Sequence, residues 1–464
     1  MAALGIDLGT TYSVVAALDA HGIPQVIANR EGEILTPSVV YFDGESPLVG
    51  SAAAAAGALS PYDCVELVKR HIGDGSWRCV TAGGNYYTAE QVSAMVLRRL
   101  AVDARTRLDE PCSEAVITVP AYFDDARRRA TADAGIIAGL DVLRIVNEPT
   151  AAAVAYGFGR SVGGAGEPVT VMVYDWGGGT FDVTVVHVAG SEYQVLATAG
   201  DRNLGGYDID NALMLYVDEH VIAQGGATSL DSDVAELMLR EKCERAKREL
   251  SDIGETTVTV EDGRRTYRVE VTRPGFSELI HPLLQRTEEI VTEVMVDAGV
   301  RRGGLYAALL VGGSTRIPAV TRMLHRVTAA RVRHDVHPEE AVALGAALLA
   351  DHLSSQRSKG VSGGSPTESD RLVVRDVTAH SLGLIARSPQ TGAEINSIVI
   401  ERNAPLPARG RQRFHTLAEN QDEILVVVTQ GEDTDPAYVT VVGSARIPIP
   451  PSDESVEIDV VIGY

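Results

Sequence analysis

The stretch Val171–Val188, VMVYDWGGGTFDVTVVHV, constrains this chain more than any other. An apolar run (Val171, Met172, Val173) leads to Asp175, a glycine triplet follows, and apolar residues return at Val183, Val185 and Val186. The reading is strand, turn, strand. Gly177, Gly178 and Gly179 lack a Cβ, so their backbone N–H groups can close around an anion. Asp175 and Asp182 flank the turn as carboxylates, too negative to face a phosphate without a cation between them. Mg²⁺ suits that place, because it takes one or two carboxylates, waters and phosphate oxygens. Taken alone, the stretch also reads as an ordinary Gly-rich hairpin with solvated ends. A second copy breaks the tie. Leu4–Val15, LGIDLGTTYSVV, repeats the apolar lead, Asp7, Gly9, the hydroxyls of Thr10 and Thr11, and a further apolar strand. Two such hairpins predict two similar halves clasping one polyphosphate. Neither is a Walker loop, since no Gly-Lys-Ser/Thr follows and each turn runs into a strand.

Charge narrows the partners. The chain has 464 residues, 45% hydrophobic and 22% charged, which predicts a globular protein of at least two domains. A formal net charge of −22 argues against nucleic acid or an anionic membrane as a partner. Cys64, Cys79, Cys112 and Cys243 are scattered with no CxxC pair, so neither a disulfide framework nor a zinc site is expected. With no secretory pattern at the start and no long apolar run, the expected location is the cytoplasm.

Along the chain, Val26–Ala28 and Val39–Phe42 read as short strands, and Ala52–Ala58 as a small helix. Lys69 and Arg70, within Val65–Ile72, read from local sequence as an exposed basic pair. Val92–Leu108 and Asp124–Leu140 read as helices, the second capped by Asp. In Arg144–Tyr156, RIVNEPTAAAVAY, Pro149 opens an Ala-rich helix behind Glu148. That carboxylate either orients a water or simply serves the helix N-terminus. Gly200–Asp210 is a Gly-rich turn entering a helix, and Val234–Ser251 is a helix laced with charge pairs. Thr257–Val271 alternates as strands, Phe276–Ala298 is helical, Leu309–Val320 is strand, Gly-Gly turn, helix, and Ala341–Asp351 is a last helix. Ser354–Asp370 shifts to Ser, Gly and charge, the composition of a linker. From Val377 to Tyr464 the pattern is β alternation, at Ser397–Ile400, Ile424–Val428, Val439–Val442 and Val456–Ile462.

The paired hairpins resemble those of the actin, hexokinase and heat-shock ATPase superfamily. The blocks GIDLGTTYSVVA, VPAYFDDARRRAT, IVNEPTAAAVAYG, VYDWGGGTFDVTV, GDRNLGGYDID, CERAKREL and LVGGSTRIPAV resemble, in order, those of the 70-kDa heat-shock chaperones of the DnaK type. RDVTAHSLGL, IERNAPLP and FHTLAENQ resemble the start of that family's peptide-binding domain. The resemblance implies an α/β actin-like, two-lobed ATPase domain over 1–353, a linker over 354–376, and a partial β-sandwich over 377–464. It implies slow hydrolysis of ATP to ADP with Mg²⁺, coupled to binding of extended hydrophobic peptides. J-domain cochaperones and a nucleotide exchange factor are the implied partners.

Residue by residue, the resemblance implies that Asp7 and Asp175 orient the hydrated Mg²⁺. Gly9, Thr10, Thr11, Gly177, Gly178, Gly179 and Thr180 would hold phosphate oxygens. Lys69 would reach the terminal phosphate, and Glu148 and Asp182 would position the attacking water. Gly205, Gly206, Glu244, Lys247, Arg248, Ser251, Gly312, Gly313, Ser314, Arg316 and Glu339 would form the adenosine pocket, with Arg248 stacked on the base. Pro120 and Arg128 match a switch pair, while Arg144, Leu372–Val374 and Asp376 match the linker-docking region. Leu384, Leu417 and Ile424 match apolar groove positions.

Some positions depart from the family pattern. Trp176 replaces a small aliphatic residue and Tyr207 an acid, and the stretch from Lys69 to Pro120 is short. His380 and Arg387 stand where apolar residues are expected. The β part is expected to stop before its last strands, with an exposed edge and no helical lid. Two other readings remain: a weakly active or inactive ATP-binding scaffold that recruits a partner through the β domain, and a filament former or sugar kinase on the same fold.

Overall fold

The computed structural model describes residues 2–464 apart from 45, 58–59, 163–165, 264, 334–336, 363–371 and 419. Two mixed sheets carry the first part of the chain. One runs in the order Asp141–Asn147, Glu114–Val119, Leu4–Asp7, Tyr12–Leu18, Pro24–Val26, with Thr36–Pro37 paired on Tyr12–Leu18. The other runs Arg331–Arg333, Ala307–Val311, Val169–Trp176, Phe181–Ala189, Glu192–Asp201, Val373–Arg375. Both are built alike. In each, an antiparallel hairpin opens the half and its first strand then pairs in parallel with a much later one. Leu4 lies opposite Ala115 in the first sheet, and Val171 opposite Ala307 in the second. The apolar run predicted at Val171–Val173 is fully buried, as expected of a strand covered on both faces.

Two helices join the sheets. Glu148–Val162 packs on the second sheet, Ala341–Ser362 packs on the first, and the two helices cross each other. Their contact is made by small residues, because the backbones run too close for anything larger. A Cβ placed on Gly345 would stand 1.8 Å from the Ala151 carbonyl oxygen, and one on Gly5 would stand 2.0 Å from the Ala347 nitrogen. Around them, Ala151, Ala152, Ala153, Ala346 and Ala350 are buried with the valines of the second sheet.

Each half carries an outer layer. Over the first sheet, Ala89–Leu108 begins in a capping box between Thr88 and Gln91, and Asp125–Ile137 is capped by Asp124. On the second half, Gly206–Ala223 and Asp233–Asp252 pack near the hairpin Glu255–Glu261/Thr266–Thr272. The stretch read as one helix over Phe276–Ala298 is two, Arg273–Leu279 and His281–Asp297, because Pro282 starts a new N-terminus.

The remaining chain forms a four-stranded antiparallel sheet, in the order Glu394–Ile400, Leu382–Arg387, Glu423–Gln430, Thr440–Pro448. A strand pair, Arg409–His415 with Glu457–Gly463, lies against it. Leu382–Arg387 escapes the alternation pattern because it begins with three successive buried residues. Arg409–His415, RGRQRFH, escapes it because almost every side chain is polar. The core here is small, formed by Leu382, Ile400 and Ala408. The edge strand Thr440–Pro448 leaves Val441 and Ile447 exposed.

The stretch read as linker is only partly so. Helix continues through it to Ser362, and Val373–Arg375 is the outer strand of the second sheet, pairing in parallel with Glu192–Gln194. Positions 363–371 lie outside the described residues. Among the described residues, no helix is long and apolar enough to cross a membrane.

The helix crossing gives a direct test. Gly345→Ala forces a methyl into the Ala151 backbone and is expected to cost about 1–3 kcal/mol, read as a lower midpoint of thermal unfolding. An unchanged midpoint would mean that the crossing can open without loss.

Candidate functional site

The two hairpins predicted to act together do meet. Their turns are so close that a Cβ on Gly178 would lie 2.1 Å from Thr11 Oγ1, and one on Gly179 would lie 2.5 Å from Thr10 Oγ1. Only residues without a side chain can hold these turns face to face. Gly9 is equally confined, since its Cβ would stand 1.9 Å from the Tyr12 carbonyl oxygen. The hairpin Val169–Trp176/Phe181–Ala189 pairs Asp175 directly with Asp182, so both carboxylates stand at the root of the Gly177–Thr180 turn.

Lys69 and Glu148 lie between the hairpins. The Lys69 ammonium donates to Glu148 Oε1 at 2.5 Å, and both residues are buried. The exposed basic pair expected from local sequence is therefore not what forms, because a short 3-10 turn, Val68–His71, carries Lys69 into the cleft. Glu148 is engaged in this ion pair, at the first residue of its helix. Burial by itself would push the Lys69 ammonium down, but the charges of Glu148, Asp7 and Asp175 outweigh it and raise its pKa.

The carboxylates respond to the same burial by rising. Burial, reinforced by the charge of Glu148, pushes Asp7 and Asp182 up to about 7. Asp175 is raised well above its ordinary value by burial, then by Glu148, Asp182 and Asp7. Thr118 Oγ1 donates to Asp7 at 3.1 Å, and the Tyr122 N–H donates to Asp182 at 3.0 Å. A single ammonium thus faces a cluster of crowded carboxylates. Asp7 and Asp175 come from opposite hairpins, and two carboxylates suit Mg²⁺ only when waters and phosphate oxygens complete its shell, since among the described residues no three acidic, histidine or cysteine side chains are placed to hold a metal.

Beside the second hairpin, Gly205 and Gly206 dock onto its turn. The Gly206 N–H donates to the Gly177 carbonyl at 2.9 Å, and Ser314 Oγ donates to the same oxygen at 3.1 Å. Gly312, at φ 81°, fits where a Cβ would meet the Trp176 carbonyl oxygen at 2.5 Å. Lys247 donates to the Gly206 carbonyl and to Asp210 at 3.2 and 2.9 Å, while Ser251 Oγ donates to the Lys247 carbonyl at 3.4 Å. Arg248 pairs with Glu244 at 2.5 Å and reaches across to the Tyr12 hydroxyl at 3.1 Å. Arg316 and Glu339 pair at 3.2 Å, with Gly313 alongside. The residues assigned to adenosine thus cluster beside the second hairpin, with Arg248 reaching Tyr12 of the first.

Arg70 was not singled out by the sequence as a site residue, yet it crosses the cleft. It donates to the Gly179 carbonyl at 3.0 Å and to Asp208 at 2.7 Å, and its guanidinium lies 4.8 Å from the Tyr207 ring. Arg240 covers Tyr207 at 4.2 Å. The unexpected Tyr207 is therefore an aromatic plate between two guanidinium groups. The unexpected Trp176 is buried, edge-on to Tyr174 and Phe181, and its Nε1–H has no partner among the described residues.

From the cleft, two contacts lead to the β portion. Asp182 holds the backbone of Tyr122, whose ring lies 4.1 Å from that of His380. The Pro120 carbonyl accepts from the Phe123 N–H, and Arg128 donates to the Phe123 and Ala121 carbonyls and to the Asn147 amide oxygen. Asn147 then donates to Asp376 at 2.7 Å. Burial raises the Asp376 carboxyl, against the lowering effects of its Val377 N–H bond and of Arg128, Arg144 and Asn147. Tyr122 and Asn147 were not foreseen, and only contacts distant in sequence reveal them. The three groove positions differ in burial. Leu384 is buried between Ser397 and Val428, Leu417 is 68% exposed on a turn, and Ile424 is half-buried opposite Ile447. Arg387 ends its strand exposed.

The profile of a family described as Hsp70 protein matches residues 3–78 and 74–462. The chain is 40% identical over 460 residues to "Chaperone protein DnaK" of one Thermus thermophilus strain, covering 93% of this chain and 71% of that one. The protein of the same description from a second Thermus thermophilus strain gives the same identity and coverage.

The raised carboxylates make a pH prediction. An acid whose folded pKa exceeds its unfolded value of about 4 stabilises the fold at low pH, and that contribution is lost as pH rises toward the folded value. For Asp182, held at about 7, the thermal midpoint of the nucleotide-free protein is expected to fall from about pH 5 to 7. The fall is expected to be shallower in Asp182→Asn. Equal slopes in parent and variant would show that Asp182 does not titrate there.

Proposed function

This chain belongs to the Hsp70 family of ATP-dependent chaperones, and we propose that it hydrolyses ATP slowly with Mg²⁺ and couples the nucleotide state to binding of extended apolar peptides. One observation carries the reading most: the glycine turn of one hairpin rests on the threonines of the other, over a buried Lys69–Glu148 pair. Phosphoryl transfer to water asks mainly for positioning and charge neutralisation, and this cleft offers both.

The roles assigned by the family resemblance are supported by where the groups stand. Thr10, Thr11, Thr180 and the N–H groups of Gly178 and Gly179 hold phosphate oxygens. Lys69 faces the terminal phosphoryl group. Glu148 and Asp182 orient a water, and Asp182, held at about 7, is suited to accept its proton near neutral pH. Asp7 and Asp175 would hold Mg²⁺, which supplies charge neutralisation on the phosphate oxygens. The cluster formed by Gly205, Gly206, Lys247, Arg248, Ser251, Gly312 and Ser314, with Glu244, Gly313, Arg316 and Glu339 at its rim, takes the adenosine.

We divide the chain into an ATPase part over 1–353, a connecting segment, and a peptide-binding part over 377–464, with Pro120, Arg128, Arg144 and Asp376 relaying between them. J-domain cochaperones and an exchange factor are the proposed partners, and the cytoplasm the proposed location, in keeping with four free cysteines. The net charge of −22 disfavours nucleic acid and anionic membranes. A second reading, an ATP-binding scaffold that recruits a partner through its β portion, draws support from the contrast between buried Leu384 and exposed Leu417.

Steady-state turnover of Mg²⁺-ATP tests both. Lys69→Ala and Asp175→Asn are each expected to lower kcat by about 100-fold or more, and a hydrophobic extended peptide is expected to stimulate the parent. Turnover at the parent rate in both variants would refute the site assignment. Turnover indifferent to peptide, with no anisotropy change of a labelled peptide, would favour the scaffold.

A further inference from the structure

A cavity of about 190 Å³ lies against the phosphate hairpins, and its lining divides by role. Thr10, Thr180 and Lys69 belong to the terminal-phosphate position described above. Beyond them stand Arg70 and Arg127 from the first half and Arg202 from the second, none of which that position requires. Phe123 and Asn203 complete the lining. It contains four cationic side chains and no carboxylate, in a protein whose 63 acidic residues outnumber its 41 basic ones. Such a concentration runs against the charge of the whole chain, and the carboxylates that pair with Lys69, Arg70 and Arg127 lie outside the lining, so the cavity itself presents only positive charge.

The arginines are held in place. The Arg127 guanidinium pairs with Asp124, the N-cap of its own helix, and lies 5.9 Å from the Phe123 ring centroid. Arg70 is fixed by Asp208 and the Gly179 carbonyl, yet its buried Nε–H has no hydrogen-bond partner among the described residues. Arg202 is exposed on the turn after Glu192–Asp201 and forms no ion pair among the described residues. Its turn is set by Asp201, which accepts from the Asn203 N–H at 3.0 Å. Lys69 is likewise engaged by Glu148. The donors left to a further ligand are planar guanidinium forks, the geometry that suits a tetrahedral phosphate oxyanion.

We propose that this cavity is a second anion site, which takes inorganic phosphate outside the position of the nucleotide's terminal phosphoryl group. The proposal rests on the nucleotide reading of the cleft. Because Arg127 and Arg202 come from opposite halves, a phosphate between them ties the two halves together at the mouth of the cleft.

Calorimetric titration of inorganic phosphate into the full chain, saturated with Mg²⁺ and a non-hydrolysable ATP analogue, tests it. The analogue fills the inner position, so only the outer one can respond. One saturable equivalent of phosphate is expected in the parent. Its affinity should fall at least about tenfold in Arg127→Gln and in Arg202→Gln, the loss of one charge-assisted bond, and recover in part in Arg202→Lys. No saturable binding to the analogue-loaded parent, or undiminished binding in both glutamine variants, would overturn the site. Failure of the analogue itself to bind would instead overturn the nucleotide reading, and the phosphate site with it.

Discussion

The repulsion among Asp7, Asp175, Asp182 and Glu148, relieved within the protein by Lys69, is the constraint on which the rest depends. These carboxylates come from separate elements and converge because the hairpin turns are built from residues small enough to touch. Bringing acids together in a buried cleft raises the pKa values of Asp7, Asp175 and Asp182 rather than strengthening the fold. Such an arrangement is strained on its own and eased by a ligand of matching charge. Sites of this kind ordinarily mark chemistry rather than structural support, and the stability they cost is offset by the cores beneath each sheet.

Those cores explain how the site is held. Each hairpin belongs to its own sheet, and each sheet has its own buried cluster. The halves share the helix crossing at Ala151 and Gly345, where contact is close but made by small residues. Over the cleft they share polar contacts instead: Arg70 with Gly179 and Asp208, and Arg248 with Tyr12. The halves are thus joined by a tight apolar crossing at the base and by hydrogen bonds above it.

Much of this was legible in the sequence because it was written locally. The Asp-x-Gly hairpins, the Gly-rich turn at Gly205 and the capped helices each depend on residue types within a few positions. Lys69 shows where local reading stops: beside Arg70 it resembles a solvated pair, and only the family resemblance assigned it to the cleft. Arg70, Tyr122 and Asn147 stayed hidden because their partners lie far away in the chain. Val373–Arg375 was hidden for a related reason. Three residues carry no period, and they become a strand only because the edge at Glu192–Gln194 is there to pair with them. The polar strand Arg409–His415 is likewise defined by its partner, Glu457–Gly463.

The two routes from cleft to β portion differ in kind. Asp182 accepts the Tyr122 N–H directly, so a change in the charge or position of that carboxylate reaches the segment on which His380 stacks. The second route, through Arg128, Asn147 and Asp376, starts at the carbonyls of Ala121 and Phe123, on either side of Tyr122. Both therefore depend on the backbone of one short turn, Pro120–Asp124. A turn can respond to the cleft only if it is free of the core on one side, and Tyr122, half-buried between buried neighbours, meets that condition. Asp376 sits at the far end as a buried acid whose burial is offset by hydrogen bonds and by Arg128 and Arg144. Withdrawing Arg128 would leave that acid less well compensated, and a buried carboxylate short of partners is expensive to keep. The turn is one of several contacts that hold the β portion, since Arg402 pairs with Glu293 and Asp297 and Asn403 accepts the Thr198 N–H, both away from the turn.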